Sequence, residues 1–198
     1  MRRKQQMFAA QEQEPPRLVT GETHHVAGRS YRLEVIERDG APSVLLSDDR
    51  ILLAVKPGSD AAARGAVLDR WSRTILGVEI ARLIDQWEPV IGVRVARFTQ
   101  RQMKSRWGTC NIGRRLLCLN TELAKKPPAC LEYVVVHEMV HLRSRRHDGR
   151  FYAHMDRLMP DWRLRRAALN QRSTRWVVGT LAGPAGNEAD ISTASERS

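Results

Sequence analysis

Two imidazoles and a carboxylate fall within one short run, His137-Glu138-Met139-Val140-His141. On an α-helix, residues four apart lie one turn above each other on the same face. Both imidazoles can then reach one ion at the ~2.0–2.1 Å Zn–N distance. Glu138 lies about 100° round the helix from His137. Its carboxylate can meet a water on the open side of the ion, take its proton as general base and pass that proton to a leaving group. The chemistry predicted by these side chains is zinc-dependent hydrolysis. The same arrangement arises by accident in roughly 1% of chains of this kind, so its context has to decide. The preceding Tyr133-Val134-Val135-Val136 is apolar enough to bury the helix. Two histidines and a glutamate beside such an element are costly unless they have a partner.

A catalytic zinc keeps three protein ligands and one open position. The remaining histidines are His24, His25, His147 and His154. His147 follows His141 within Arg145-Arg146-His147-Asp148-Gly149, a predicted helix end. Gly149 is expected there at positive φ, so that the chain bends and returns His147 to the metal. Asp148 is a candidate cap for the next helix. His154 reads either as a hydrogen-bonding neighbour of the site or as a packed residue, and His24-His25 as incidental. The His-Glu-x-x-His-x5-His spacing is shared with metzincins. Their glycine three residues after the second histidine is Ser144 here, and no Met-turn is evident, which argues against that group.

The elements that must position these residues are legible in part. Tyr31–Ile36, Ser43–Leu46 and Ile51–Val55 read as three strands of an antiparallel meander, separated by turns at Asp39-Gly40 and Asp48-Asp49. Residues 60–87 carry apolar side chains at helical spacing, with Gly77 expected to divide them into two helices. Val93–Phe98 is strand-like, and Ser105–Asn120 reads as a hairpin turning at Asn111-Ile112-Gly113. Pro127-Pro128 suits the start of the metal-site helix, expected over 128–145. Helices over 149–158 and 162–170 follow, separated by Pro160. A flexible arm is expected over 1–22, one domain over 23–175, and a disordered tail over 176–198.

The 198 residues carry a formal net charge of +11, which favours anionic partners such as nucleic acid, nucleotides or acidic peptides. Cys110, Cys118 and Cys130 are odd in number and widely spaced, which argues against a disulfide framework and for a reducing cytoplasm. No apolar run approaches the ~20 residues of a membrane span, and Met1-Arg2-Arg3-Lys4 is followed by no signal-peptide core. The expectation is a cytoplasmic protein without a membrane partner.

Four motifs in order carry a resemblance. They are Ser105-Arg106-Trp107-Gly108-Thr109-Cys110, then Leu119-Asn120-x-x-Leu123, then Tyr133-Val134-Val135-Val136-His137-Glu138-x-x-His141-Leu142, then His147-x-x-x-Phe151. In these the chain resembles the YgjP-like metallopeptidase family, which is related to the SprT-like zinc peptidases. The resemblance spans about residues 25–170. It implies His137, His141 and His147 as zinc ligands and Glu138 as catalytic base. Departures are Thr109 where the family has Ser more often, Arg146 for its usual Asn, and Asp148 for its usual Ser. Pattern and resemblance together predict an α+β, zincin-like fold, with a small antiparallel sheet packed on an active-site helix and further helices.

Around that site, the hairpin is the candidate shelf for an extended substrate. Gly108 would permit close backbone approach there. Trp107 either walls the cleft or anchors the core. Arg143, Arg145, Arg146 and Arg150 surround the third ligand, Arg163, Arg165 and Arg166 follow, and Arg101, Lys104, Arg106, Arg114 and Arg115 precede the helix. Solvated faces account for most of them, and those near the metal would form a positive rim that attracts phosphates or acidic peptides and stabilises an oxyanion. Three functions stand open. The first is a zinc metallopeptidase. The second is a zinc-dependent hydrolase of nucleotide phosphoanhydrides. The third is a non-catalytic nucleic-acid-binding protein with a structural zinc, closed by a fourth ligand such as Cys110.

Overall fold

The structure, a computed structural model, describes residues 17–171. Its apolar residues sort into two clusters that share one long helix. The first cluster forms under a four-stranded sheet made of β1 (Thr23–Val26), β2 (Arg29–Glu37), β3 (Ser43–Ser47) and β4 (Arg50–Val55). The sheet order is β1-β2-β4-β3, and β2 pairs with β4 in parallel. The expected antiparallel meander is therefore corrected. β4, Arg-Ile-Leu-Leu-Ala-Val, is buried along most of its length and takes an inner position, whereas the more exposed β3 takes the edge. Strand order follows burial rather than chain order.

Helix α1 runs unbroken from Ala61 to Ile91, capped by Asp60, whose side chain accepts from the Ala63 amide. Gly77 does not divide it. A Cβ there would lie 2.9 Å from Nε2 of Gln100, which donates to the Arg73 carbonyl. The glycine is thus a point of close packing and not a break. The first half of α1 covers the N-terminal sheet through Val67, Leu68, Trp71 and Ile75. The second half buries Leu76, Ile80, Leu83, Ile84 and Ile91 in the other cluster.

That second cluster contains a smaller sheet of β5 (Arg97–Arg101), β6 (Gly108–Asn111) and β7 (Leu116–Asn120), in the order β5-β7-β6. The expected hairpin is present as β6 and β7, while β5 joins β7 in parallel, so this sheet is also mixed. The expected strand over 93–98 begins only at Arg97. A 3-10 turn, Thr121–Lys125, leads to α2 (Pro128–Val140), α3 (Gly149–Leu158) and α4 (Trp162–Asn170). The fold is α+β. The two halves also meet at the β1–β2 turn, where Ala27 and Gly28 donate to the carbonyls of Ala124 and Lys125. Gly28 has φ +79°, and a Cβ there would meet Pro127 at 2.8 Å.

Residues 17–22, expected in the flexible arm, are docked: Leu18 is buried and the Gly21 amide donates to the Leu33 carbonyl. Residues 1–16 and the tail expected over 176–198 lie outside the described residues. No helix among the described residues is long and apolar enough to cross a membrane. Cys110, Cys118 and Cys130 are all free.

Candidate metal centre

Helix α2 is buried over most of its circumference, and its last turn presents His137 and Glu138. The helix ends at Val140, five residues before the expected Arg145, and His141 is its cap. His141 keeps helical dihedrals, φ −62° and ψ −21°, so it still stacks one turn beyond His137, with ring centroids 5.1 Å apart. The chain then tightens. Leu142 and Arg143 donate to the carbonyls of Met139 and Val140, each three residues back. Arg143 crosses to α1, where its Nη2 donates to the Gly92 carbonyl.

The bend that returns His147 is not made by Gly149, which has no positive φ and begins α3. It is made by Ser144 and Asp148. Buried Ser144 donates from Oγ towards the Arg146 carbonyl and Asp148 Oδ1, and Asp148 Oδ1 accepts from the Arg150 and Phe151 amides. Asp148 is thus the cap of α3. A glycine at 144 could not supply these bonds.

The result is a triad. One ring nitrogen from each of His137, His141 and His147 lies within 4.8 Å of the others. Nε2 of His147 is 2.9 Å from Nε2 of His137, a hydrogen bond when one carries a proton and a spacing suited to two ligands of one ion when neither does. Phe151, fully buried, lies beneath all three rings at centroid distances of 4.9, 4.8 and 4.6 Å. Nδ1 of His141 meets the Ser144 carbonyl at 3.1 Å, which places the proton there and leaves Nε2 free to ligate. Tyr133 Oη reaches Nδ1 of His137 at 3.5 Å. Burial lowers the pKa of all three imidazoles, that of His137 to about 3, with the neighbouring imidazoles adding to its shift. Neutral imidazoles are the form that a metal requires, so the residues fit a metal ion. Cys110 lies outside this group, and His154 is neither in it nor in the lining of the cleft.

Glu138 is buried beside the triad, and burial raises its carboxyl to about 8, opposed in part by the Arg106 guanidinium. Its neighbour is Gly108. A Cβ at 108 would stand 2.8 Å from both Cγ and Oε1 of Glu138. The glycine expected to admit substrate therefore makes room first for the carboxylate.

Triad and carboxylate open into a cleft of about 1240 Å³. Gly108, Thr109 and Cys110 of edge strand β6 line one wall, and Tyr152, Trp162 and Arg166 line another. Trp107 stands between cleft and core. It lines the cleft and packs partly against the core, with Nε1 donating to Asn170 Oδ1 at 3.3 Å and Lys126 over its ring. Arg106 and Arg145 line the cleft, whereas Arg143, Arg146 and Arg150 do not. Asn120 is a residue whose role sequence reasoning missed. Buried at the end of β7, it donates to the Met103 and Arg106 carbonyls and accepts from the Met103 and Glu122 amides. It pins the loop that carries Arg106. Its place in the second motif was a visible signal, but its task was not.

The family model for the YgjP-like metallopeptidase domain matches residues 1–172. The chain belongs to the YgjP-like metallopeptidase family. Membership implies a metal ion, and the three histidines of this metallopeptidase domain could hold one. Among solved structures, it is similar to the metallopeptidase zymogen abylysin of Pyrococcus abyssi, with TM-score 0.38 and 15% identity over 41% of this chain and 80% of that one. It is also similar to the zymogen jannalysin of Methanocaldococcus jannaschii, with TM-score 0.38 and 14% identity over 44% of this chain and 93% of that one. No curated protein matches the chain.

Proposed function

We propose that this protein is a zinc-dependent peptidase in which His137, His141 and His147 hold the ion and Glu138 is the general base. The observation that carries the reading is the three-imidazole set beside a buried carboxylate, both opening on one cleft. When bound, zinc would supply Lewis acidity, polarising a carbonyl and acidifying water.

The protein's own groups do the rest. Burial makes Glu138 a stronger base than a solvated carboxylate. Its carboxylate takes a proton from the attacking water, holds it, and returns it to the departing amine. Phe151 and the Ser144 carbonyl hold the imidazoles in place, so little rearrangement is needed at the moment of reaction. Strand β6, at the sheet edge among the described residues, offers backbone groups to an extended peptide.

A second reading, hydrolysis of a nucleotide phosphoanhydride, is supported by the arginines of the cleft. A closed structural zinc is disfavoured, because Cys110 does not join the triad. The test is a screen of metal-loaded protein against unstructured peptides and nucleoside triphosphates. Wild type is expected to cleave peptides, and Glu138→Gln to retain its metal while turnover falls about 10²–10⁴-fold. Full peptidase activity in Glu138→Gln would refute the mechanism.

A further inference from the structure

We propose that the cleft selects peptides with an aspartate or glutamate side chain next to the scissile bond, received by Arg106, Arg145 and Arg166. This rests on the peptidase reading above and adds a substrate class to it.

The three arginines come from separate elements. Arg106 precedes β6, Arg145 lies between α2 and α3, and Arg166 is on α4, yet all line one cleft. Among the described residues none of their side chains has an ion pair or hydrogen bond. Several arginines outside the cleft are partnered: Arg50 with Glu34, Arg64 with Glu37, Arg163 with Asp156, and Arg165 with Glu132 and Asp161. Like charges facing one volume repel each other, and an entering anion relieves that repulsion.

The cleft also lacks acidic groups. Glu138 is its sole carboxylate among the described residues, and it is buried beside the triad. A lysine or arginine side chain of a substrate therefore meets three like charges and no free counter-charge. A carboxylate meets guanidinium forks that can bind it through paired hydrogen bonds. The aromatic walls, Trp107, Tyr152 and Trp162, lower the local dielectric and strengthen each such contact. The same cations would accept phosphate, but β6, an edge strand among the described residues, lines the cleft with backbone groups that a nucleotide leaves unused. That edge decides for a peptide.

The test uses full-length, zinc-loaded Glu138→Gln, whose turnover is about 10²–10⁴-fold lower, so that binding is read almost free of cleavage. Calorimetry compares end-capped peptides identical except for Glu, Gln or Lys at the positions flanking the centre. The Glu peptide is expected to bind about tenfold more tightly than the Gln peptide. The Lys peptide should bind weakest, and the Glu advantage should shrink as salt rises. Adding Arg145→Gln or Arg166→Gln should cut that advantage to a few-fold or less. In wild type, kcat/KM should follow the same order. Equal affinity for the three peptides overturns the proposal, as does an advantage that both arginine variants leave intact. Wild type cleaving Gln and Glu peptides equally well defeats the selectivity alone and leaves the peptidase reading standing. Glu138-dependent hydrolysis of nucleoside triphosphates, with no peptide cleaved, defeats the peptidase reading itself.

Discussion

The two clusters joined by α1 are built to different rules. The N-terminal one buries Leu18, Val26, Tyr31, Leu33, Ile51, Leu53 and Val55, all classed as hydrophobic, and carries exposed charge pairs such as Arg50–Glu34. Such exposed pairs contribute about 0–1 kcal/mol each. Among the described residues, the buried polar side chains Asn120, Glu138 and Ser144 all lie in the other half. Asn120 and Ser144 are bonded to loop backbone, and Glu138 bears the cost of its own desolvation. One half converts apolar area into stability. The other gives up part of that gain to hold ligating and basic groups in a set geometry.

The sharpest way to break this contrast is to remove a histidine from each half. His141→Ala should leave no zinc detectable by metal analysis and no activity, whereas His25→Ala, on exposed β1, should change neither. Full metal stoichiometry in His141→Ala would end the triad reading. Next, Leu53→Ala, fully buried in the N-terminal cluster, should cost about 2–5 kcal/mol in denaturant unfolding. Its kcat/KM per folded molecule should match wild type; a matching loss of activity would mean that the halves are not separable. Asn120→Ala should cost about 2 kcal/mol and also lower kcat/KM, because the loop holding Arg106 is released.

The last effect concerns pH. Burial raises the Glu138 carboxyl from 4.5 to about 8, so the folded, metal-free protein holds a proton that the unfolded chain releases. That stability is fully present below pH 4.5 and is lost as pH rises towards 8. Glu138→Gln should therefore stabilise the metal-free protein by about 1–3 kcal/mol at pH 8 and by almost nothing at pH 4. Denaturant melts at the two pH values measure it, and an equal gain at both would show that the carboxyl is not desolvated.

Local chemistry made much of this legible in the sequence. The spacing of His137 and His141, the helix start at Pro128, α3, α4 and the β6–β7 hairpin all follow from patterns within about a dozen residues. What escaped depends on contacts across the fold. Gly77 reads as a helix breaker until Gln100 is placed against it, and β4 reads as the third strand of a meander until burial sets it beside β2. Gly108 shows its reason only when Glu138 of a different element lies on top of it. Gly149 reads as the bend that Asp148 and Ser144 supply.

Phe151 carries a further consequence, for the order of assembly. The floor shared by the three imidazoles belongs to α3, not to the helix that carries His137. Helix α2 by itself brings together His137 and His141 but neither His147 nor the ring beneath them. During refolding, uptake of the ion should therefore lag behind the gain of helical signal and keep time with the docking of α3. A spectroscopically visible substitute such as cobalt would then act as a clock for the last step of folding.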